Sequence, residues 1–238
     1  MTRWLRRPRS AAFTPDRYAL AFPHRGSLIR DYEAWHRQYD DPTSTLAQRL
    51  AIVQARLGQR LLALPPGAIS VISMCAGQGR DLFGVLPNHP RRGDVTAVLV
   101  ELDHRNVEVA RANAAQTGPS QVVVLEGDAA VSDIYAPFVP ADIVLACGIF
   151  GNISDQDLER TVHNLSMLCR TGASVIWTRH RNEPDLTPRI RSWFAESGFE
   201  ELSFDAIDNE SKSGIGTVHL VGAPLPFQAG FRFFTFTR

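Results

Sequence analysis

From residue 69 onward short apolar runs alternate with helical stretches, the pattern of βαβ units around a parallel sheet. The runs cover 69–74, 95–101, 121–125, 142–147 and 173–178. Between them, 103–116 is an alanine-rich helix, and Ser154 with Asp157 forms a capping box ahead of Leu158, Val162, Leu165 and Leu168. Pro188 stands at a first helical position behind Thr187, and Gly198 fits the stop of that helix. After Gly198 the alternation ends. Runs 199–206 and 217–221 are joined by a polar loop, 207–216, with no room for a crossover helix, so they must pair antiparallel. Phe231, Phe233, Phe234 and Phe236 predict one more edge strand.

Ahead of residue 65 the period is helical. Tyr32, Trp35, His36 and Tyr39 fall on one helix face, which Asp40, Asp41 and Pro42 terminate. A second helix, capped by Thr43 or Ser44, repeats Leu46, Leu50, Val53, Leu57 and Leu61 every three or four residues until Pro65, Pro66 and Gly67. Residues 1–26 hold Pro8, Pro15, Pro23 and Gly26 without a period and read as an irregular arm. The division expected is an N-terminal arm and helical cover, 1–64, and an α/β domain, 65–238.

With 238 residues and 44% apolar content the chain is long enough for one sizeable core. A formal net charge of zero draws it neither to nucleic acid nor to an anionic membrane, which leaves a small-molecule partner as the expectation. Nothing in the pattern sets an oligomeric state. Cys75, Cys147 and Cys169 are scattered and lack metal-ligand spacing, so no metal site is expected and a reducing cytoplasm is. No apolar stretch approaches the roughly 20 residues that span a bilayer.

The candidate chemistry begins where the first run ends, in Met74-Cys75-Ala76-Gly77-Gln78-Gly79-Arg80-Asp81. Glycines there permit φ angles closed to side chains and let a ligand approach the backbone, and a following helix start offers free N–H groups. Glu101 stands 22 positions beyond Gly79 at the end of the second run. A carboxylate at about that separation accepts hydrogen bonds from both hydroxyls of a ribose, the alternative being an ordinary strand-end charge. Asp128, in Gly127-Asp128-Ala129 after the third run, suits either an adenine amine or a helix N-cap.

In these elements the sequence resembles the class I, Rossmann-like S-adenosylmethionine-dependent methyltransferases. The resemblance covers about 69–221 and rests on VISMCAGQGRD, VLVELD, LEGDAA and ADIVLACGIFGNI, in that order. It implies a doubly wound, seven-stranded, mostly parallel sheet with an antiparallel last strand. It further implies S-adenosylmethionine as cofactor and S-adenosylhomocysteine as product. Gly77 and Gly79, with the adjoining Cys75 and Ala76, would follow the methionine and ribose portion, Glu101 the ribose hydroxyls, and Leu102, Asp128 and Ala129 the adenine. Cys147 and Gly148 would lie under the methionine part. Ser73 and Cys75 stand where the family usually has an acid and a glycine, so the usual partner of the cofactor ammonium is missing. Asp81 is the nearest carboxylate that can replace it, or it simply favours the helix N-terminus.

For an acceptor, His180 after the fifth run and His36 on the aromatic face are the candidate bases, each also readable as a structural or solvated histidine. Tyr32, Trp35 and Tyr39 either wall an acceptor pocket or pack in the core. Arg179 can hold an anionic substrate or face water, and Asn152 can orient a ligand or serve a turn. Two rival functions share these elements: a nicotinamide-dependent oxidoreductase and a non-catalytic cofactor-binding protein. The first fits less well, because the third glycine of GxGxxG falls at Leu82.

Overall fold

The computed structural model describes residues 37–116, 121–208 and 212–237. The irregular arm, and Tyr32, Trp35 and His36 with it, lie outside the described residues; Tyr39 sits in a 3-10 turn, Arg37–Asp40. Helix α1 (Thr45–Ala63) begins at Ser44, whose hydroxyl accepts from the Ala47 N–H at 3.0 Å, while the Thr43 hydroxyl turns back to Asp41. Its buried stripe, Leu46, Val53, Leu57 and Leu61, is spaced by seven, four and four residues and faces the sheet.

Seven strands follow: β1 (Ile69–Met74), β2 (Val95–Glu101), β3 (Gln121–Glu126), β4 (Ala141–Ala146), β5 (Cys169–His180), β6 (Phe199–Ala206) and β7 (Ser213–Leu220). They form one sheet in the order β3-β2-β1-β4-β5-β7-β6. The first five are mutually parallel, and β7 runs antiparallel between β5 and β6. Parallel strands need covered faces, and their sequences are accordingly mostly apolar: every residue of β4 is buried, Asp142 included. On one face α1 joins Ile69, Val71, Leu99, Leu145 and Ile176 in a core that also takes in α3 (His104–Gln116). On the other, α4 (Asp155–Asn164) and α5 (Thr187–Glu196) pack over Ile72, Val144, Val175 and Trp177.

Four local expectations change. Strand β5 starts four residues early, at Cys169, and its edge pairs with Ala141 across a bulge. Strand β7 starts at Ser213, so the hairpin loop is shorter than the pattern predicts. Thr187 is the first residue of α5 and Pro188 the second; the Asp185 carboxylate caps the Thr187 N–H at 2.8 Å. The final phenylalanines form no strand, only isolated bridges from Arg232 to Val131 and from Phe236 to Ile153. Phe233 and Phe234 are adjacent and both fully buried, unlike the alternating residues of an edge strand with one face in water. Their rings fill the core beneath α4 instead.

Candidate active site

Strand order reverses between β1 and β4, whose neighbours lead outward in opposite directions, and at such a switch point the loops leaving the C-terminal ends diverge and open a crevice. The glycine turn leaves β1 at this place. Cys75, Gly77 and Gly79 all have positive φ, 49°, 54° and 72°. The helix it enters, α2 (Arg80–Phe83), is a single turn, so the expected run of helical N–H groups reduces to the turn's own backbone.

Glu101 organises that backbone. Its Oε2 accepts the Gly77 N–H at 2.8 Å and its Oε1 the Asp103 N–H at 2.8 Å, while the Ala76 N–H donates to the Val100 carbonyl at 2.9 Å. Burial pushes the Glu101 carboxyl up, and these backbone donors oppose the shift. Each oxygen keeps a further lone pair for a ligand hydroxyl. Leu102, the next residue, is 61% exposed although large and apolar.

The Gly127 N–H donates to the Glu101 carbonyl at 2.9 Å, which brings the loop after β3 alongside. Asp128 is no helix N-cap there; its Oδ1 closes a turn onto the Ala130 N–H at 2.9 Å. Its Oδ2 accepts from Arg232 at 2.9 Å. Ala129 is buried and its carbonyl accepts from the buried Tyr135 hydroxyl at 2.7 Å.

A polar cluster gathers where β1 and β4 diverge. The half-buried Asp81 carboxyl lies beside the Cys147 thiol and in the field of Arg49, which donates to the Tyr39 hydroxyl at 2.8 Å. Burial raises the Asp81 carboxyl; Arg49 and the thiol pull it down. The Cys75 and Cys147 thiols are pushed well up, chiefly by burial and then by the neighbouring carboxylates, so both stay protonated at neutral pH. Arg49 carries no motif, and only its place in the first turns of α1 puts it here.

The loop after β4 is pinned. Thr178 Oγ1 accepts the Gly148 N–H at 2.9 Å, Asn152 donates to the Gly148 carbonyl at 2.8 Å, and Arg179 donates to the Phe150 carbonyl. Gly148, with φ of 76°, faces open space, since a Cβ built there would meet no atom within 4 Å. The His180 ring lies over Gly151, 3.1 Å from where its Cβ would be. The structure therefore brings together Cys75, Ala76, Gly77, Gly79, Asp81, Cys147 and Gly148 at the crevice, with Glu101, Leu102, Asp128 and Ala129 on the β2–β3 side. It sets His180, Asn152 and Arg179 along the β4–β5 side. No helix among the described residues is long and apolar enough to cross a membrane.

No family model matches the chain, and no curated protein does. Solved structures do. An O-methyltransferase family protein from Burkholderia thailandensis aligns with a TM-score of 0.60 at 16% identity, over 80% of this chain and 60% of that one. The CurJ carbon methyltransferase aligns with a TM-score of 0.62 at 15% identity, over 81% and 59%. Magnesium protoporphyrin IX methyltransferase from Synechocystis PCC 6803, with bound SAM, aligns with a TM-score of 0.61 at 14% identity, over 81% and 92%. The chain thus spans about three fifths of the length of the first two. With its reversed β7 and its glycine turn at the β1/β4 switch point, the chain has the fold of the Rossmann-like S-adenosylmethionine-dependent methyltransferases.

Proposed function

We propose that the protein is a cytoplasmic enzyme that transfers a methyl group from S-adenosylmethionine to a small-molecule acceptor. The observation that carries this reading is the Glu101 carboxylate, which holds the Gly77 N–H in place and keeps lone pairs for the two ribose hydroxyls. The exposed Leu102 offers an apolar surface for a purine face, with Asp128 and Ala129 at its edge. The open face of Gly148 and the neighbouring Cys147 leave room for the methionine chain. These residues fit the cofactor.

At the amino-acid end Asp81 takes the place of the acid missing at Ser73. The Asp81 carboxylate receives the ammonium, and Arg49, held by the Tyr39 hydroxyl, faces the carboxylate group. When bound, the sulfonium supplies an electrophilic methyl group, and in-line displacement needs alignment and exclusion of water above all. The pinned β4 loop provides a rigid wall for that alignment, with Asn152 at its turn. His180 beside Gly151 is the base for an acceptor that must lose a proton, with His36 as the alternative. Tyr39 walls the acceptor side, and Arg179 borders it. Several structural relatives are named for O- or C-methyl transfer, and one of them, from Planctomyces limnophilus, is in complex with apigenin, which supports a small acceptor.

Asp81→Asn separates this reading from a structural role. Removing the carboxylate charge is expected to weaken S-adenosylhomocysteine by about tenfold or more, while 5′-methylthioadenosine, which lacks the amino-acid group, binds as before. Equal losses for both ligands, or none, would contradict it. The same substitution is expected to raise the melting temperature of the ligand-free protein at pH 7. Because burial raises the folded-state carboxyl above its unfolded value, the folded state binds more protons between the two values. Stability therefore falls as pH rises through that window, and the neutral amide removes the penalty.

A further inference from the structure

The C-terminal segment stitches the loop after β3 to the loop after β4. Around Arg232, the Phe231 carbonyl accepts the Ser132 N–H at 2.9 Å and the Phe233 N–H donates to the Ala130 carbonyl at 2.8 Å. Phe233 is fully buried, and its carbonyl accepts the Thr161 hydroxyl of α4 at 2.8 Å. Further along, the Thr235 N–H donates to Asp157 at 2.7 Å and the Thr237 N–H to the Asn152 carbonyl at 2.9 Å. Backbone bonds on both sides therefore fix the place from which the Arg232 side chain leaves.

That side chain reaches Asp128. Its Nη2 lies 2.9 Å from Oδ2, across 104 positions of sequence, with Arg232 half exposed and Asp128 about 30% exposed. As an exposed ion pair this contributes little to folding. Its geometric effect is larger. With Oδ1 held by the Ala130 N–H and Oδ2 by the guanidinium, the carboxylate has no free rotation, and its remaining lone pairs point in fixed directions. A carboxylate so held accepts from a purine 6-amino group and repels a 6-oxo group, because an acceptor facing an acceptor leaves both unpaired.

We propose that Arg232 is a positioning residue that orients Asp128 to select a 6-aminopurine over a 6-oxopurine cofactor. The inference rests on the S-adenosylmethionine reading of the site and adds a specificity determinant from outside the sheet. Arg232 does not touch the purine and acts through Asp128.

The test is the ratio of dissociation constants for S-adenosylhomocysteine and its 6-oxo analogue S-inosylhomocysteine, measured by calorimetry on the full chain. Wild type is expected to prefer the amino form by at least about tenfold, the order a charge-assisted hydrogen bond supplies. Arg232→Ala should bring the ratio to within about twofold of unity, and Arg232→Lys should keep part of it, because an ammonium still pairs with Asp128 but cannot fork. A residue that only ties down the segment would lower the melting temperature and weaken both ligands alike. An unchanged or larger ratio in Arg232→Ala, or no preference in wild type, overturns the inference alone. Failure of wild type to bind either ligand overturns the cofactor reading and the inference with it.

Discussion

Glu101→Ala is expected to abolish measurable cofactor binding, a loss of at least about a hundredfold, while the protein still folds. The carboxylate does two things at once: it anchors the Gly77 and Asp103 N–H groups at 2.8 Å and offers its remaining lone pairs to the ribose. A hydrogen bond to a charged group is worth about 1.5–3 kcal/mol, so losing the ribose pair alone accounts for about 3 kcal/mol, and the released glycine turn adds to it. Glu101→Gln should fall between, since an amide keeps one acceptor but turns an NH2 toward donors. Calorimetric titration with S-adenosylhomocysteine measures both, with far-ultraviolet circular dichroism to show that the variants are folded. Binding by Glu101→Ala within about threefold of wild type would remove Glu101 from the site.

Gly216→Ala should produce the largest loss of stability from a single methyl group. Gly216 lies opposite Trp177 in the β5–β7 register, and a Cβ there would fall inside the Trp177 indole. The ring has nowhere to go: Phe150, Phe194 and Phe204 stand around it with centroids at 6.0, 5.9 and 5.8 Å, and Trp177 is fully buried. Overpacking a tight core costs about 3 kcal/mol at the upper end of the usual range. For a chain of this size that lowers the melting temperature by about 6–12 °C. Differential scanning calorimetry and the tryptophan emission maximum follow the change, and a melting temperature within about 2 °C of wild type would show that β7 can shift away from β5.

The same glycine explains where sequence reading fell short. Strands β1, β2 and β6 are legible to the residue because Gly67, Asp94 and Gly198 mark where each begins. Among the first four residues of β7, Gly214 and Gly216 are small because Phe204 and Trp177 occupy the space above them. Small residues carry no apolar signal and read as loop. At the other end of β5, Arg170 and Thr171 are exposed, so nothing marked that stretch as strand. The terminal phenylalanines misled in the opposite direction: aromatic content suggested a strand, whereas Phe233 and Phe234 serve as plugs in the core.

For the site, local motifs indicated what the strand ends would carry, and Gly77, Gly79, Glu101 and Asp128 stand on adjoining loops of one sheet edge. Partners supplied from a distance were invisible. Arg49 belongs to a helix whose pattern speaks only of its buried face, and Arg232 meets Asp128 from the far end of the chain. The acid absent at Ser73 was legible as a gap, and Asp81 as its nearest replacement. The environment that Cys147 and Arg49 give Asp81 required the fold, because β1 and β4 are neighbours only in the sheet.

The most direct measurement is equilibrium binding of the purified full chain to S-adenosylhomocysteine and, in parallel, to the oxidised nicotinamide dinucleotides. Saturable one-to-one binding of S-adenosylhomocysteine in the micromolar range or tighter, with no heat from either dinucleotide, is the predicted result. Binding of a dinucleotide in its place would contradict the account, because the turn from Met74 to Asp81 would then serve a different cofactor.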